Sequence, residues 1–104
     1  MLTPKQRQYL KAQAHHLKPA VHVGKAGASA GLAAELDQML ESLELIKIKL
    51  NQNAAEDSDA VMTVLKGQVD GIEHVWTIGH TLLVFRASRN KPSRYELPRI
   101  SLDK

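Results

Sequence analysis

Val21-His22-Val23-Gly24-Lys25-Ala26-Gly27 joins a short apolar strand to a Gly-x-x-Gly loop, and a long amphipathic segment follows directly. Glycine at both ends of the loop lets the backbone turn tightly and come close to a ligand, while Lys25 brings a positive charge to the same place. A strand that feeds a helix in this way needs a crossover to return to its sheet, so part of the sheet is expected to be parallel.

Working outward, Thr3 before Pro4 is a helix start, and the first helix is predicted to run to about His16. Beyond the loop, Ser29 is placed to cap a second helix in which Leu32, Leu36, Met39, Leu40 and Leu43 recur at three and four residues. Leu45 to Leu50 alternates, with Ile46, Ile48 and Leu50 on one face and Lys47 and Lys49 on the other, which predicts a half-buried strand. A third helix is predicted from Asp57 to about Val69, with Val61, Val64, Leu65 and Gln68 or Val69 inward and Gly71 ending it. Val75 to Ile78 and Thr81 to Arg86 read as strands about a Gly79-His80 hairpin turn. The expected fold is α/β, a single compact domain of order α-β-α-β-α-β-β over residues 1–88, with a four-stranded mixed sheet packed by three helices. Residues 89–104 are polar, basic and punctuated by proline, and are expected to form a mobile tail.

The 104 residues fit one domain, and 43% hydrophobic with 24% charged residues is the balance of a globular chain. With no cysteine there is no disulfide framework and no thiol nucleophile. The N-terminus lacks a signal-peptide pattern and no run is long and apolar enough to span a bilayer, so the cytoplasm is the expected compartment. The net charge is only +3, but it is segregated. Met1 to Gly27 holds Lys5, Arg7, Lys11, Lys18 and Lys25 without an acid, whereas Ala28 to Ala60 holds Glu35, Asp37, Glu41, Glu44, Glu56, Asp57 and Asp59 against Lys47 and Lys49. Basic residues gather again near the C-terminus, at Arg86, Arg89, Lys91, Arg94 and Arg99. One basic face suited to a polyanion and one acidic, solvated face are expected.

Thr3 to Lys11, Leu17-Lys18-Pro19, Val23 to Gly27, Glu44 to Lys49 and Ile78 to Arg86, in that order, resemble the CRM domain family, and more closely its stand-alone bacterial YhbY-like members. The resemblance covers roughly Leu2 to Arg86 and implies an RNA-binding module similar in shape to the C-terminal domain of initiation factor 3. It also implies a role on precursors of the large ribosomal subunit, with rRNA as partner, and an RNA-contacting loop at Gly24, Lys25, Ala26 and Gly27. Residues 89–104 lie beyond what the resemblance covers.

The residues themselves support a similar mechanism. Backbone N–H groups of the loop can face phosphate oxygens, helped by the positive end of the following helix. Arg7 and Lys11 share one face of the first helix, Lys5 lies further around it, and Lys18, Lys47, Lys49 and Arg86 extend the candidate RNA surface. Trp76 and Phe85 sit among strand-forming aliphatics and are assigned to core packing. The alternative is a protein-binding adaptor that uses Glu35, Asp37, Glu41 and Glu44 of the second helix, with the basic loop incidental.

No enzyme is expected. Gly27-Ala28-Ser29-Ala30-Gly31 matches a nucleophile-elbow pattern, but Ser29 has the helix-capping position. Walker and dinucleotide-binding fingerprints both fail on glycine spacing. The five histidines form no ligand-spaced motif, so neither a metal site nor a cofactor is expected.

Overall fold

A computed structural model of the chain describes residues 2–24, 30–52, 57–90, 92–93 and 95. The element order is α1 (Pro4–Gln13), β1 (Val21–Val23), α2 (Ala30–Leu43), β2 (Leu45–Leu50), α3 (Ser58–Gln68), β3 (Glu73–Ile78) and β4 (Thr81–Phe85). This is the α/β architecture expected from the sequence, with three helices and a four-stranded mixed sheet in spatial order β1-β2-β4-β3. β1 pairs parallel with β2, Val21 opposite Ile48 and Val23 opposite Leu50. β4 lies antiparallel to both of its neighbours.

Local chemistry sets the element ends. The Thr3 hydroxyl accepts from the Gln6 N–H at 3.1 Å and the Gln6 side chain accepts from the Thr3 N–H at 3.0 Å, a capping box with proline at the first helical position. The α-helix closes at Gln13 and tightens into a 3₁₀ turn, Ala14–His16, so the predicted end at His16 includes that last turn. Asp57 caps α3 by accepting from the Ala60 N–H at 2.9 Å. The predicted Ser29 cap of α2 lies outside the described residues. Gly79 has φ +56° while His80 keeps an ordinary negative-side φ, the pattern of a two-residue II′ hairpin turn. Gly71, just past α3, has φ +78°, and a Cβ there would stand 3.4 Å from Arg86 Cδ.

The sheet separates two cores. On one face Val21, Val23, Ile46, Ile48, Leu50, Leu82 and Val84 pack under α2 and α3, against Leu36, Leu40, Val61 and Leu65. Fully burying each such side chain contributes about 1.5–3 kcal/mol. In α3 the inward set includes Met62, and Val64 is only half-buried, because the helix is rotated slightly from the predicted orientation. Leu43, expected in the apolar row of α2, is 39% exposed at the helix end. On the other face Leu45, Val75, Leu83 and Phe85 pack under Leu2, Leu10 and Ala14 of the N-terminal segment. β4 is therefore buried on both sides, which explains its unbroken apolar run.

α2 ends on Glu44, a buried non-glycine residue at φ +67°. That conformation costs about 1–2 kcal/mol, and its backbone and carboxylate are well used there. Its carbonyl accepts from the Arg86 N–H at 2.9 Å, and its carboxylate accepts from the Ser88 N–H at 2.6 Å. Beside it, Arg86 donates to the Asp37 carboxylate, to the Asp37 carbonyl at 2.9 Å and to the Asp70 carbonyl at 3.2 Å. The Glu41 carboxylate accepts from the Ser88 hydroxyl and from the backbone of Arg89 and Asn90 at 3.1 and 3.0 Å. Further along, the Tyr95 ring meets Phe85 edge-on at 6.1 Å, against the second core. The described part of the predicted mobile tail is thus docked across one end of the sheet by carboxylate hydrogen bonds and an aromatic contact.

These bonds hold Glu41 down at a pKa of about 2, chiefly through the Ser88 hydroxyl and the Arg89 and Asn90 N–H groups, and Arg86 holds Asp37 below the usual carboxylate range. Both groups are lowered in the folded state, so their stabilisation is complete above the unfolded carboxylate value near 4.5 and is lost as pH falls toward about 2. The urea midpoint of the wild-type chain should therefore drop between about pH 5 and pH 2.5, and Glu41→Gln should show a shallower drop from a lower starting point. Parallel pH profiles for the two proteins would show that Glu41 contributes no such linkage.

Candidate nucleic-acid interface

Alternation along β2 sends Lys47 and Lys49 to the α1 side of the sheet, the side that α1 covers only in part. Register carries the same face across neighbouring strands: His22 lies opposite Lys49, Lys49 opposite Thr81, and Thr81 opposite Ile78. α1 and its 3₁₀ turn border this open area with Arg7, Lys11 and His15, spaced four apart and hence on one side of the helix. Between helix and sheet runs a groove of about 320 Å³ lined by Lys11, Ala14, His15, Lys47, Trp76, Ile78, Thr81 and Leu83.

A break in β3 decides what this groove contains. The pairing of β3 with β4 shifts by one residue between His74 and Trp76. Such a bulge reverses the alternation of every later side chain. Val75 is buried under α1 and the next residue, Trp76, also lies on that side, opposite Leu83. Trp76 is 40% exposed and Ile78 66% exposed. The sequence-based assignment of Trp76 to the core is corrected here, whereas Phe85, 3% exposed, is core as expected. Lys11 Nζ stands 3.6 Å from the centroid of the Trp76 ring, a cation–π contact of about 0.5–1 kcal/mol at an exposed site.

The remaining candidate residues divide by position. Lys47 is half-buried, lines the groove and donates to the Leu17 carbonyl at 2.9 Å, which occupies one of the three ammonium N–H groups. Lys49 is exposed on the same face, and Arg7 reaches across to the His74 carbonyl at a long 3.4 Å. Lys18 is exposed in the link to β1, and Lys5 is exposed some 200° around α1 from Arg7. Arg86 does not belong with them. It is 6% exposed, lies on the α2 side of the sheet and is engaged by Asp37 and two backbone carbonyls. A cation so enclosed has no access to a polyanion, and its role is to tie α2, the turn after α3 and the end of β4 together. Lys25, Ala26 and Gly27 lie outside the described residues.

Gly24 begins the loop at the uncovered end of the sheet, beside Asn51, whose N–H donates to the Val23 carbonyl at 2.8 Å. It has no positive φ, and among the described residues a Cβ added there would meet Asn51 Nδ2 at 3.5 Å, an ordinary contact. The described part of the fold therefore has room for a side chain at this position. Trp76, Ile78, His15 and Thr81 were not legible as surface residues, because composition and strand propensity favour burial for the first two and the bulge leaves no clear mark in sequence.

Among the described residues, no group of three or more His, Asp or Glu side chains is placed to hold a metal ion, and no helix is long and apolar enough to cross a membrane. His74, half-buried on the α3 side, is held below the usual imidazole range by burial and pairs with the Thr77 hydroxyl at 2.7 Å. What the open face offers is a cationic border around an apolar floor.

The family described as CRS1 / YhbY (CRM) domain matches residues 2–86 of the chain. The Bacillus subtilis protein named "Probable RNA-binding protein YqeI" is 37% identical over 99 residues, which span 94% of this chain and 100% of the relative. A Haemophilus influenzae protein named "RNA-binding protein" is 36% identical over 98 residues, 94% of this chain and 96% of that one. The solution structure of the hypothetical protein SAV1595 from Staphylococcus aureus is similar at a TM-score of 0.74 and 35% identity, over 94% of this chain and 100% of that one.

The space at Gly24 has a direct consequence for stability. Gly24→Ala should fold normally, with a change within about 1 kcal/mol and a gain favoured by the reduced freedom of the unfolded chain. A larger loss in urea unfolding would mean that the fold, and not an outside ligand, requires glycine there.

Proposed function

We propose that this chain, which belongs to the CRS1 / YhbY (CRM) domain family, is an RNA-binding protein that grips the phosphate backbone along the open sheet face and the Gly-x-x-Gly loop. The observation that carries the proposal is the convergence of Arg7, Lys11, Lys47 and Lys49 around one surface left open by the described residues, with Gly24 at its end, where those residues leave room for a side chain. The names carried by the Bacillus subtilis and Haemophilus influenzae relatives support the same reading.

In this proposal the loop Gly24-Lys25-Ala26-Gly27 presents backbone N–H groups and the Lys25 ammonium to phosphate oxygens. Arg7, Lys11, Lys47 and Lys49 neutralise neighbouring phosphates, and the exposed Lys5 and Lys18 widen the positive field that attracts the RNA. The target proposed from the family resemblance is rRNA in precursors of the large ribosomal subunit, with the protein acting in assembly in the cytoplasm. An adaptor role for the acidic face of α2 is disfavoured by geometry. Asp37 and Glu41 are engaged by Arg86, Arg89 and Ser88, and Glu44 is 2% exposed.

Contact with about five phosphates gives a slope of log affinity against log salt of roughly −3.5 on single strands. Lys47→Ala and Lys49→Ala should each flatten it by about 0.7, while Lys5→Ala, on another side of α1, should change it less. Gly27→Asp should weaken binding most, through bulk and charge in the loop. Fluorescence anisotropy of a labelled single-stranded RNA reads all of these, and a folded Gly27→Asp protein with wild-type affinity would remove the loop from the mechanism.

In a native lysate resolved on a sucrose gradient, the protein should sediment with large-subunit precursors at moderate salt and move to the top at high salt. A protein found only at the top in moderate salt would point to a different or smaller RNA.

A further inference from the structure

Phosphate binding needs cations and backbone N–H groups, and it gives no reason for a solvent-facing tryptophan at the centre of a cationic surface. Trp76 and Ile78 are 40% and 66% exposed, and they share one groove with the buried Leu83 and with Lys11, His15 and Lys47 on its rim. Exposed large apolar groups side by side are uncommon on a surface unless something covers them. The volume of about 320 Å³ is at the small end of the range for ligand sites, too small for a helix of a partner and of a size for one flat ring system.

We propose that this groove receives an unpaired nucleobase of the RNA, stacked on Trp76, while Lys11 and Lys47 hold the flanking phosphates; the inference rests on the RNA-binding reading above. Charge complementarity favours RNA over an apolar protein segment, since the rim of the floor carries cations and no acid lines the groove. The Lys11 ammonium, 3.6 Å from the Trp76 centroid, occupies the ring face at the distance of a stacked base. Stacking of a base on an aromatic ring is stronger than a solvent-exposed cation–π contact, so an arriving base displaces the ammonium, which is then free to pair with its phosphate. The Thr81 hydroxyl and the His15 ring stand on the same lining as polar groups for a base edge. A paired A-form helix keeps its bases stacked inside, so the groove selects single-stranded, looped or bulged RNA over duplex.

Trp76 is the sole tryptophan of the chain, so its emission reports the groove directly. The full-length protein would be titrated with a mixed-sequence single-stranded RNA, with an abasic ribose-phosphate strand of the same length, and with a blunt RNA duplex. The proposal expects quenching and a shift of indole emission with the first and level emission with the other two. Trp76→Ala, checked by circular dichroism, should bind the base-bearing strand about 5- to 100-fold more weakly with an unchanged salt slope. Trp76→Phe, which keeps a ring, should recover most of that affinity. Salt-dependent binding that is equal for base-bearing and abasic strands, with level emission, overturns the base site and leaves phosphate binding standing. Absence of binding to all three strands overturns the RNA-binding reading and this inference with it.

Discussion

A four-stranded sheet has two faces to hide, and among the described residues three α-helices do it. α2 and α3 lie together on one face and bury most of it. The other face is covered, among the described residues, by α1, whose 10 residues reach only about 15 Å, by a short 3₁₀ turn, and by the single side chains of Leu2 and Tyr95. β2 alone, with 6 residues, runs about 20 Å, and the four strands together are about 14 Å across. One short helix cannot cover that area. The uncovered remainder is where Lys47, Lys49, Thr81, Trp76 and Ile78 meet the edge of α1, so the candidate interface is a direct product of this imbalance.

Charge follows the same division. Asp37 and Glu41 of α2 face Arg86 and the residues just after β4, binding Arg86, Ser88 and Arg89, while Tyr95 meets Phe85. Arg7 and Lys11 of α1 and Lys47 and Lys49 of β2 border the open side, where their partners include two backbone carbonyls and the Trp76 ring. Asp37, Glu41 and Glu44 are thus turned to partners within the molecule, away from the face that carries Lys47 and Lys49. This also separates two kinds of basic residue: Arg86 serves the fold, and Lys47 and Lys49 serve the surface.

Most of the architecture was legible from local pattern. Thr3-Pro4, the alternation of Leu45 to Leu50, the leucine row of α2 and the Gly79-His80 turn each encode an element through contacts within a few residues, and each element lies where it was expected. The cationic partners of the groove were legible as well, since Arg7 and Lys11 share a helix face and Lys47 and Lys49 share a strand face by period alone. The assignments of Arg86, Trp76 and Val64 differ from the structure for one common reason, that they depended on what lies across from a residue. Arg86 was read as part of the RNA surface, Trp76 as core, and Val64 as the inner side of α3.

The amino-acid sequence by itself determined the order and type of the elements, the residues of the main core and the segregation of charge, because these arise from periodicity, capping and turn chemistry within short windows. The tertiary structure alone decided which side of the sheet remains open and what stands there. A one-residue bulge in β3 reverses the facing of Trp76 and Ile78, and the packing of α2 against the end of β4 encloses Arg86. Both outcomes depend on pairing register and on coverage by distant segments, which no local pattern contains.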